Sequence, residues 1–316
     1  MRYIEDFKED EHILGHYLCK QKQNLKTRTG KTYLSLKLQD KTGSIDGKVW
    51  EMSNDIQAFE EGDVIKIDGN VLPYQNELQV RINKIRKSQD GEYEFMDYVP
   101  CTDKDIDALY AQIVDFIRSI NHPMIRQMME NILINNEAIV SAFKKHSAAK
   151  NLHHSYMGGL IEHTLSVTQI CDFMSNRYKY LNRDILIATA MLHDIGKIYE
   201  LSPMPENDYT DNGQMLGHIV IGAEMITAET AKIPGFPPEL QSLLKHSILA
   251  HHGEFEYGSP KLPNTMEAFI LHAADNMDAK TKAYEEIIDQ DSSSGPWAGY
   301  QRMLNRHVRK SEYKSE

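Results

Sequence analysis

The apolar and polar positions of this chain follow two periods, and the change falls near residue 90. In Tyr33-Leu34-Ser35-Leu36-Lys37-Leu38 they alternate, the mark of a half-buried strand. Gln39-Asp40-Lys41-Thr42-Gly43 is turn chemistry. The alternation resumes from Ser44 to Trp50, with Ile45, Gly47 and Val49 on one face. Residues 53–59 read as a short helix and Glu61-Gly62-Asp63 as a turn. Val64 to Ile67, Val71 to Tyr74 and Leu78 to Ile82 read as further strands. About five short strands with an inserted helix make a small Greek-key barrel of the OB type.

Beyond Asp90 the spacing becomes helical. Residues 91–103, with Pro100, read as a linker, and Ile106, Leu109, Ile113 and Phe116 then recur at threes and fours. Helices are predicted over 123–134, 137–145, 159–177, 183–195, 218–231, 238–251 and 265–285. Residues 201–213 and 253–263 read as loops. Residues 289–296 break the last helix, and the basic segment after it reads as helical or disordered. No internal repeat is visible. The expected fold is multi-domain: an all-β barrel (1–90), a linker and connecting helix (91–125), an all-α domain (126–290) and a basic C-terminal tail (291–316).

Composition narrows the class. No run of about 18 apolar residues occurs, so no membrane span is expected. The acidic opening residues lack the apolar core of a signal peptide. Cys19, Cys101 and Cys171 show no CxxC spacing, which points to a reducing cytoplasm and away from a disulfide scaffold or a zinc–thiolate site. The net charge of −11 argues weakly against a nucleic-acid partner. Its distribution qualifies that: residues 11–88 carry 13 Lys+Arg against 10 Asp+Glu, and residues 302–316 carry 5 against 2. The negative excess therefore lies mostly in the middle of the chain, where it suits a metal site as well as a solvated surface.

Ten of the 14 histidines fall between His146 and His272, and imidazole is the commonest metal ligand at neutral pH. The strongest local motif is Ala190-Met191-Leu192-His193-Asp194-Ile195-Gly196-Lys197, at the end of an apolar helix. A carboxylate buried beside an imidazole is costly unless positive charge compensates it, and a divalent metal would do so. Helix neighbours point about 100° apart, so His193 and Asp194 would not easily share one metal face. Asp194 has two oxygens, however, and could bridge two metals. Alone, an His-Asp pair is more often a core histidine beside an Asp–Lys pair. His163 lies upstream, and His218, His251-His252 and Asp275 follow. The complete order, H…HD…H…HH…D, is far more specific than the pair.

On these residues, positions from about 152 to 279 resemble the HD-domain metal phosphohydrolases. The most specific pieces are His153-His154 with Gly158-Gly159-Leu160-Ile161-Glu162-His163-Thr164-Leu165, His193-Asp194-Ile195-Gly196-Lys197, and Ala250-His251-His252-Gly253. Joined to an OB-like barrel, the arrangement is similar to the YhaM family of 3′–5′ exoribonucleases over nearly the whole chain. The resemblance implies one metal on His163, His193, Asp194 and Asp275. It implies a second on Asp194, His218 and His251, with His252 as a further candidate. It implies manganese, whereas the donor types alone suit manganese, iron, zinc or nickel. The GYP element of the HD-GYP cyclic-dinucleotide phosphodiesterases is absent: His251-His252 is followed by Gly253-Glu254-Phe255-Glu256-Tyr257-Gly258.

Two such metals would activate water for in-line attack on phosphorus. Lys197 is a candidate phosphate contact, against the bland alternative of a helix-end lysine in water. His153 and His154 are candidates to protonate the leaving oxygen or touch the phosphate. Glu162 and His246 read as supporting residues. On the barrel, Tyr33 and Trp50 are candidates to stack bases, and Lys37, Lys48, Arg81 and Lys84 to contact phosphates; each has the alternative of merely covering the barrel. The expected function is metal-dependent 3′–5′ hydrolysis of single-stranded RNA, and possible DNA hydrolysis goes with it. A cyclic-nucleotide phosphodiesterase or nucleotide phosphohydrolase would leave the barrel idle, and a non-catalytic replication-related binding factor would leave the ligand series idle. A homo-oligomer is expected, with the apolar stripe from Ile106 to Phe116 and the tail as candidate contacts.

Overall fold

The computed structural model describes residues 2–27, 29–75, 77–150, 154–302 and 304–311. They form two compact units divided after Cys101, with Met204–Glu206 belonging to the first.

The first unit is a closed barrel of β1 (His12–Lys26), β2 (Thr32–Asp40), β3 (Gly43–Val49), β4 (Val64–Tyr74) and β5 (Glu77–Lys87), in the order β1-β2-β3-β5-β4. β1 closes the ring antiparallel to β4, and β3 pairs parallel with β5. The period-two pattern explains the inside: Leu34, Leu36 and Leu38 are buried with Ile45, Val49, Ile65, Ile67, Val80 and Ile82. Each such side chain contributes about 1.5–3 kcal/mol by leaving water.

Three details differ from the pattern reading. β1 escapes it, because a bulge between Cys19 and Gln21 breaks the alternation and the following half is polar and mostly exposed. Val64–Tyr74 is one strand, carried through an irregularity at Gly69, where a Cβ would lie 2.6 Å from the Arg81 carbonyl oxygen. The helix expected over 53–59 does not form. Ile56 bridges to Ile85 and Phe59 is buried, so two apolar residues three apart imitate a helical turn while the chain runs irregularly across the barrel.

The second unit contains α1 (Ile106–Arg118), α2 (Pro123–Leu133), α3 (Glu137–Lys145), α4 (Gly159–Arg177), α5 (Arg183–Leu192), α6 (Lys197–Glu200), α7 (Asp211–Thr230), α8 (Pro238–Ala250) and α9 (Met266–Gln290). Asp105, Asn136, Asn182, Thr210 and Thr265 cap helix starts by accepting from first-turn N–H groups. α5 is buried from Ile185 to Leu192 and packs against α4 and α9. Leu109 and Ile113 are buried in this core with Ile106 and Phe116 packed against it, so the stripe considered as a subunit contact is used within its own unit. α7 starts inside the stretch read as a loop. The basic tail, read as helical or disordered, instead holds an antiparallel hairpin of β6 (Trp297–Gln301) and β7 (Arg306–Arg309).

Candidate functional site

The second unit brings the whole histidine–aspartate series to one place. α4 carries His163 on its buried face. α5 ends at Leu192, so His193 caps it and Asp194 lies in the turn that follows. That turn approaches α7 closely: a Cβ on Gly196 would lie 2.2 Å from the His218 carbonyl oxygen. Gly217, at φ 73° and ψ 156°, kinks α7 one residue before His218 and aims it inward. His251 caps α8, His252 follows it, and α9 supplies Asp275.

Asp194 stands at the centre with one oxygen toward each of two clusters. Its Oδ2 is 3.5 Å from His163 Nε2 and 3.4 Å from His193 Nε2. Asp275 Oδ1 completes that cluster at 3.2 Å from His163 Nε2 and 3.9 Å from His193 Nε2. Asp194 Oδ1 is 3.4 Å from His218 Nε2 and 3.8 Å from His251 Nε2. His252 joins this second group, so His218, His251 and His252 can together offer ligand atoms to one ion, as can His163, His193 and Asp275. Such mutual distances fit donors around a cation about 2.0–2.2 Å from each.

Five imidazoles of the two clusters share one arrangement. His193 donates through Nδ1 to the Ala190 carbonyl at 2.8 Å, His251 to Ile248 at 2.7 Å and His252 to Tyr257 at 2.8 Å. His163 Nδ1 meets Asp278 Oδ2 at 2.7 Å, and His218 Nδ1 meets Glu200 Oε1 at 3.0 Å. A proton fixed on Nδ1 leaves the Nε2 lone pair for a metal. His218 Nε2 and His251 Nε2 are buried without a hydrogen-bond partner among the described residues. Orphaned acceptors of this kind cost about 1–3 kcal/mol each, which a cation would offset. The residues therefore fit two divalent ions.

Electrostatics agree. Burial, with His252 and His193 nearby, holds His251 well below the ordinary imidazole range, and burial likewise lowers His252. Burial works against ionisation of Asp194, but Lys197 and His193 overcome it and keep its carboxyl low. Asp275 and Asp278 are also lowered, against burial, by hydrogen bonds from histidine. Burial disfavours charge on His163 as well, yet Asp275 and Asp278 push it up to about 10. A site with this much buried negative charge calls for cations.

A cavity of about 500 Å³ opens onto the cluster, lined among others by His163, Asp194, Lys197, His252, Asp275, Tyr257 and Lys280. Lys197 is half-buried and donates to Asp194 Oδ2 at 2.7 Å, so it is ion-paired to the central carboxylate. His154 is placed behind His163 and is not among the cavity-lining residues: its Nε2 is 3.4 Å from Asp278 Oδ2 and its Nδ1 3.0 Å from the Tyr156 hydroxyl. His153 lies outside the described residues. Glu162 is buried, accepting from Thr102 at 2.6 Å and from Tyr156 at 3.0 Å, and His246 Nε2 accepts from Asn264 N at 2.9 Å.

Sequence reasoning passed over Asp278 and Glu200, which orient two of the imidazoles. Asp278 is three residues after Asp275 on α9, a spacing that puts both on one side of a helix. Glu200 had no such signal, because only the kink at Gly217 brings His218 to it. The segment standing where a GYP element would be pins His252 through the Tyr257 carbonyl.

On the barrel, Tyr33 and Trp50 stack with centroids 4.7 Å apart and planes at 23°. Lys48 donates to Ser35 at 2.6 Å and Asp46 Oδ2 at 3.1 Å, and Lys37 lies 3.3 Å from Asp46 Oδ1. Tyr33, Trp50, Lys48 and Asp46 line one cleft with Tyr74 and Gln79. Arg81 lines a neighbouring cleft with Trp50. Lys84 lines a third, with Lys66, Arg86, Asp55 and Asp68, to which neither aromatic contributes.

Comparison with known proteins bears on both units. Residues 160–280 match the HD domain family model, and residues 20–88 match a family described as OB-fold nucleic acid binding domain. A solved structure found similar is the second OB-fold domain of replication protein A from Methanococcus maripaludis. Identity is 21% over 29% of this chain and 98% of that one, with a TM-score of 0.23, too low to carry weight. The 3′–5′ exoribonuclease YhaM of Geobacillus sp. is 34% identical, covering 83% of this chain and 80% of that one. The 3′–5′ exoribonuclease YhaM of Halalkalibacterium halodurans is 33% identical, covering 92% and 90%. Identity of a third over 83–92% of the chain means that it belongs to the YhaM family of 3′–5′ exoribonucleases.

Proposed function

We propose that this protein is a metal-dependent 3′–5′ exoribonuclease that shortens single-stranded RNA, with single-stranded DNA as a secondary substrate. The observation that carries the reading is Asp194, buried between two clusters of imidazole nitrogens with one oxygen facing each. His163, His193, Asp194 and Asp275 would hold one ion, and Asp194, His218, His251 and His252 the other. Manganese is the proposed metal; imidazole and carboxylate donors suit it, as they suit iron, zinc or nickel. Two ions there would lower the pKa of water and offset charge on the phosphate.

The chain's own groups do the rest. Lys197 adds a fixed ammonium at the cavity wall, where a phosphate oxygen would gain from it. Asp278 and Glu200 hold His163 and His218 in orientation, and His154 supports Asp278. The cavity has the size of a small-ligand pocket and would take the terminal nucleotide. Water adds to phosphorus and the bond to the 3′-oxygen breaks. A nucleoside 5′-monophosphate leaves, and the shortened strand keeps a 3′-hydroxyl. Tyr33 and Trp50 would stack bases while Lys37, Lys48 and Arg81 meet phosphates; Lys84 would act from a separate cleft.

The three cysteines are free, in keeping with a cytoplasmic location, and no helix among the described residues is long and apolar enough to cross a membrane. A homo-oligomer is supported by the exposed residues Met266, Phe269 and Met277 of α9, and light scattering across a concentration series tests it.

The deciding assay uses single-stranded RNA labelled at its 5′ end, incubated with manganese and with or without EDTA. A ladder shortening from the 3′ end, abolished by EDTA, is expected. Intact RNA, or internal cuts without a ladder, would overturn the proposal.

A further inference from the structure

We infer that the β6–β7 hairpin is a second single-strand-binding surface, which receives the 3′-terminal segment of RNA at the mouth of the cavity lined by His163, Asp194 and Asp275. This rests on the exoribonuclease reading above.

Residues opposite each other in an antiparallel pair share a face. Trp297 stands opposite Arg309, and Tyr300 opposite His307. His307 and Arg309 are two apart on β7 and so point the same way. The one-residue irregularity between Trp297 and Tyr300 returns both aromatics to that side. One face therefore presents a tryptophan, a tyrosine, a histidine and an arginine. All four are exposed, Trp297 at 54% and Tyr300 at 51%. Val308 points the other way, is 1% exposed, and seats β7 against α9. The base of the hairpin is fastened by Lys310, whose N–H donates to the Pro296 carbonyl at 2.8 Å and whose Nζ lies 2.8 Å from Asp291 Oδ2. The aromatic face is thus held outward by a buried residue and an ion pair on its other sides.

Charge and position specify the occupant. The whole chain carries −11, yet the hairpin exposes Arg302, Arg306 and Arg309, none with an ion-pair partner among the described residues. Exposed aromatics beside unpaired guanidinium groups match alternating bases and phosphates. Leu304, in the hairpin's turn, lines the same cavity as His163, Asp194 and Asp275. A strand whose last nucleotide lies in that cavity has its preceding nucleotides at the hairpin.

The protein has two tryptophans, so full-length Trp50→Phe leaves Trp297 as the sole indole fluorophore. A single-stranded oligoribonucleotide is titrated in EDTA, where no hydrolysis occurs. Saturable quenching of Trp297 emission is expected. Adding Arg309→Ala or Tyr300→Ala should raise the half-quenching concentration about tenfold, and Tyr300→Phe should restore it. Absent quenching overturns the inference, whether or not anisotropy of labelled RNA reports binding elsewhere. So does Trp297 emission that varies with protein concentration without RNA, which would mean a second copy covers this face. Equal affinity in all variants also overturns it. Failure of manganese-dependent hydrolysis sinks the exoribonuclease reading instead, and leaves this binding result standing on its own.

Discussion

The candidate metal centre and the Tyr33–Trp50 face of the barrel hold their side chains in opposite ways. At the centre the imidazoles are each pinned through Nδ1, and Asp194 is 2% exposed. On the barrel, Trp50 is 39% exposed, and Lys37 and Lys48 both lean on Asp46, a neighbour they could exchange for a phosphate. Bond-making chemistry needs donors fixed within fractions of an ångström, and burial provides that. Sequence-tolerant strand binding needs faces and charges that can adjust. Changes at the centre should therefore act on turnover, and changes on the barrel on affinity.

The largest test of that contrast is Asp194→Ala. Hydrolysis of labelled RNA should fall by about a thousandfold or more, since both clusters lose their shared ligand. RNA affinity, measured by anisotropy, should stay within about threefold. Undiminished turnover in the metal-replete variant would sink the mechanism. Next come Asp278→Asn and Glu200→Gln, which loosen His163 and His218 without removing a ligand. Activity or metal affinity should drop about 10- to 100-fold, with partial recovery at high manganese; a drop that added manganese leaves untouched would argue for a fold defect.

Tyr33→Ala or Trp50→Ala should then weaken RNA binding about tenfold while turnover of a dinucleotide changes little. If both readings fell together, the stacked pair would be holding the barrel instead. The smallest effect is expected for Lys48→Ala, a loss of a few-fold in affinity. The slope of log affinity against log salt should flatten by about 0.7, the share of one phosphate contact on a single strand. An unchanged slope would leave Lys48 as the partner of Asp46 and Ser35 alone.

How much could be read beforehand follows from which forces leave a pattern in the chain. Leu34, Leu36 and Leu38 alternate because one face of β2 is the barrel's interior, so β2 and β3 were legible. β1 was not, since its bulge and polar outer half erase the period. Residues 53–59 misled, because Ile56 and Phe59 carry helical spacing for reasons of barrel packing. In the second unit the histidine–aspartate series that gathers around Asp194 was legible because few side chains suit a divalent ion, and its order along the chain is unusual. The neighbours that orient them, Asp278 and Glu200, were not, since any acceptor in reach would serve. His154 drew attention by its motif, and the structure sets it beside Asp278 and His163.

The sequence by itself determined the two-unit plan, the helical or extended character of most segments, and the identity of the residues around Asp194. Those follow from local periodicity and from the donor chemistry of imidazole and carboxylate. Only the tertiary structure decided that the two oxygens of Asp194 face different clusters, that each imidazole turns its Nε2 toward them, and that the basic tail folds into a hairpin reaching the cavity. These depend on where a kink at Gly217, a close approach at Gly196 and one buried valine place parts of the chain that are far apart in sequence.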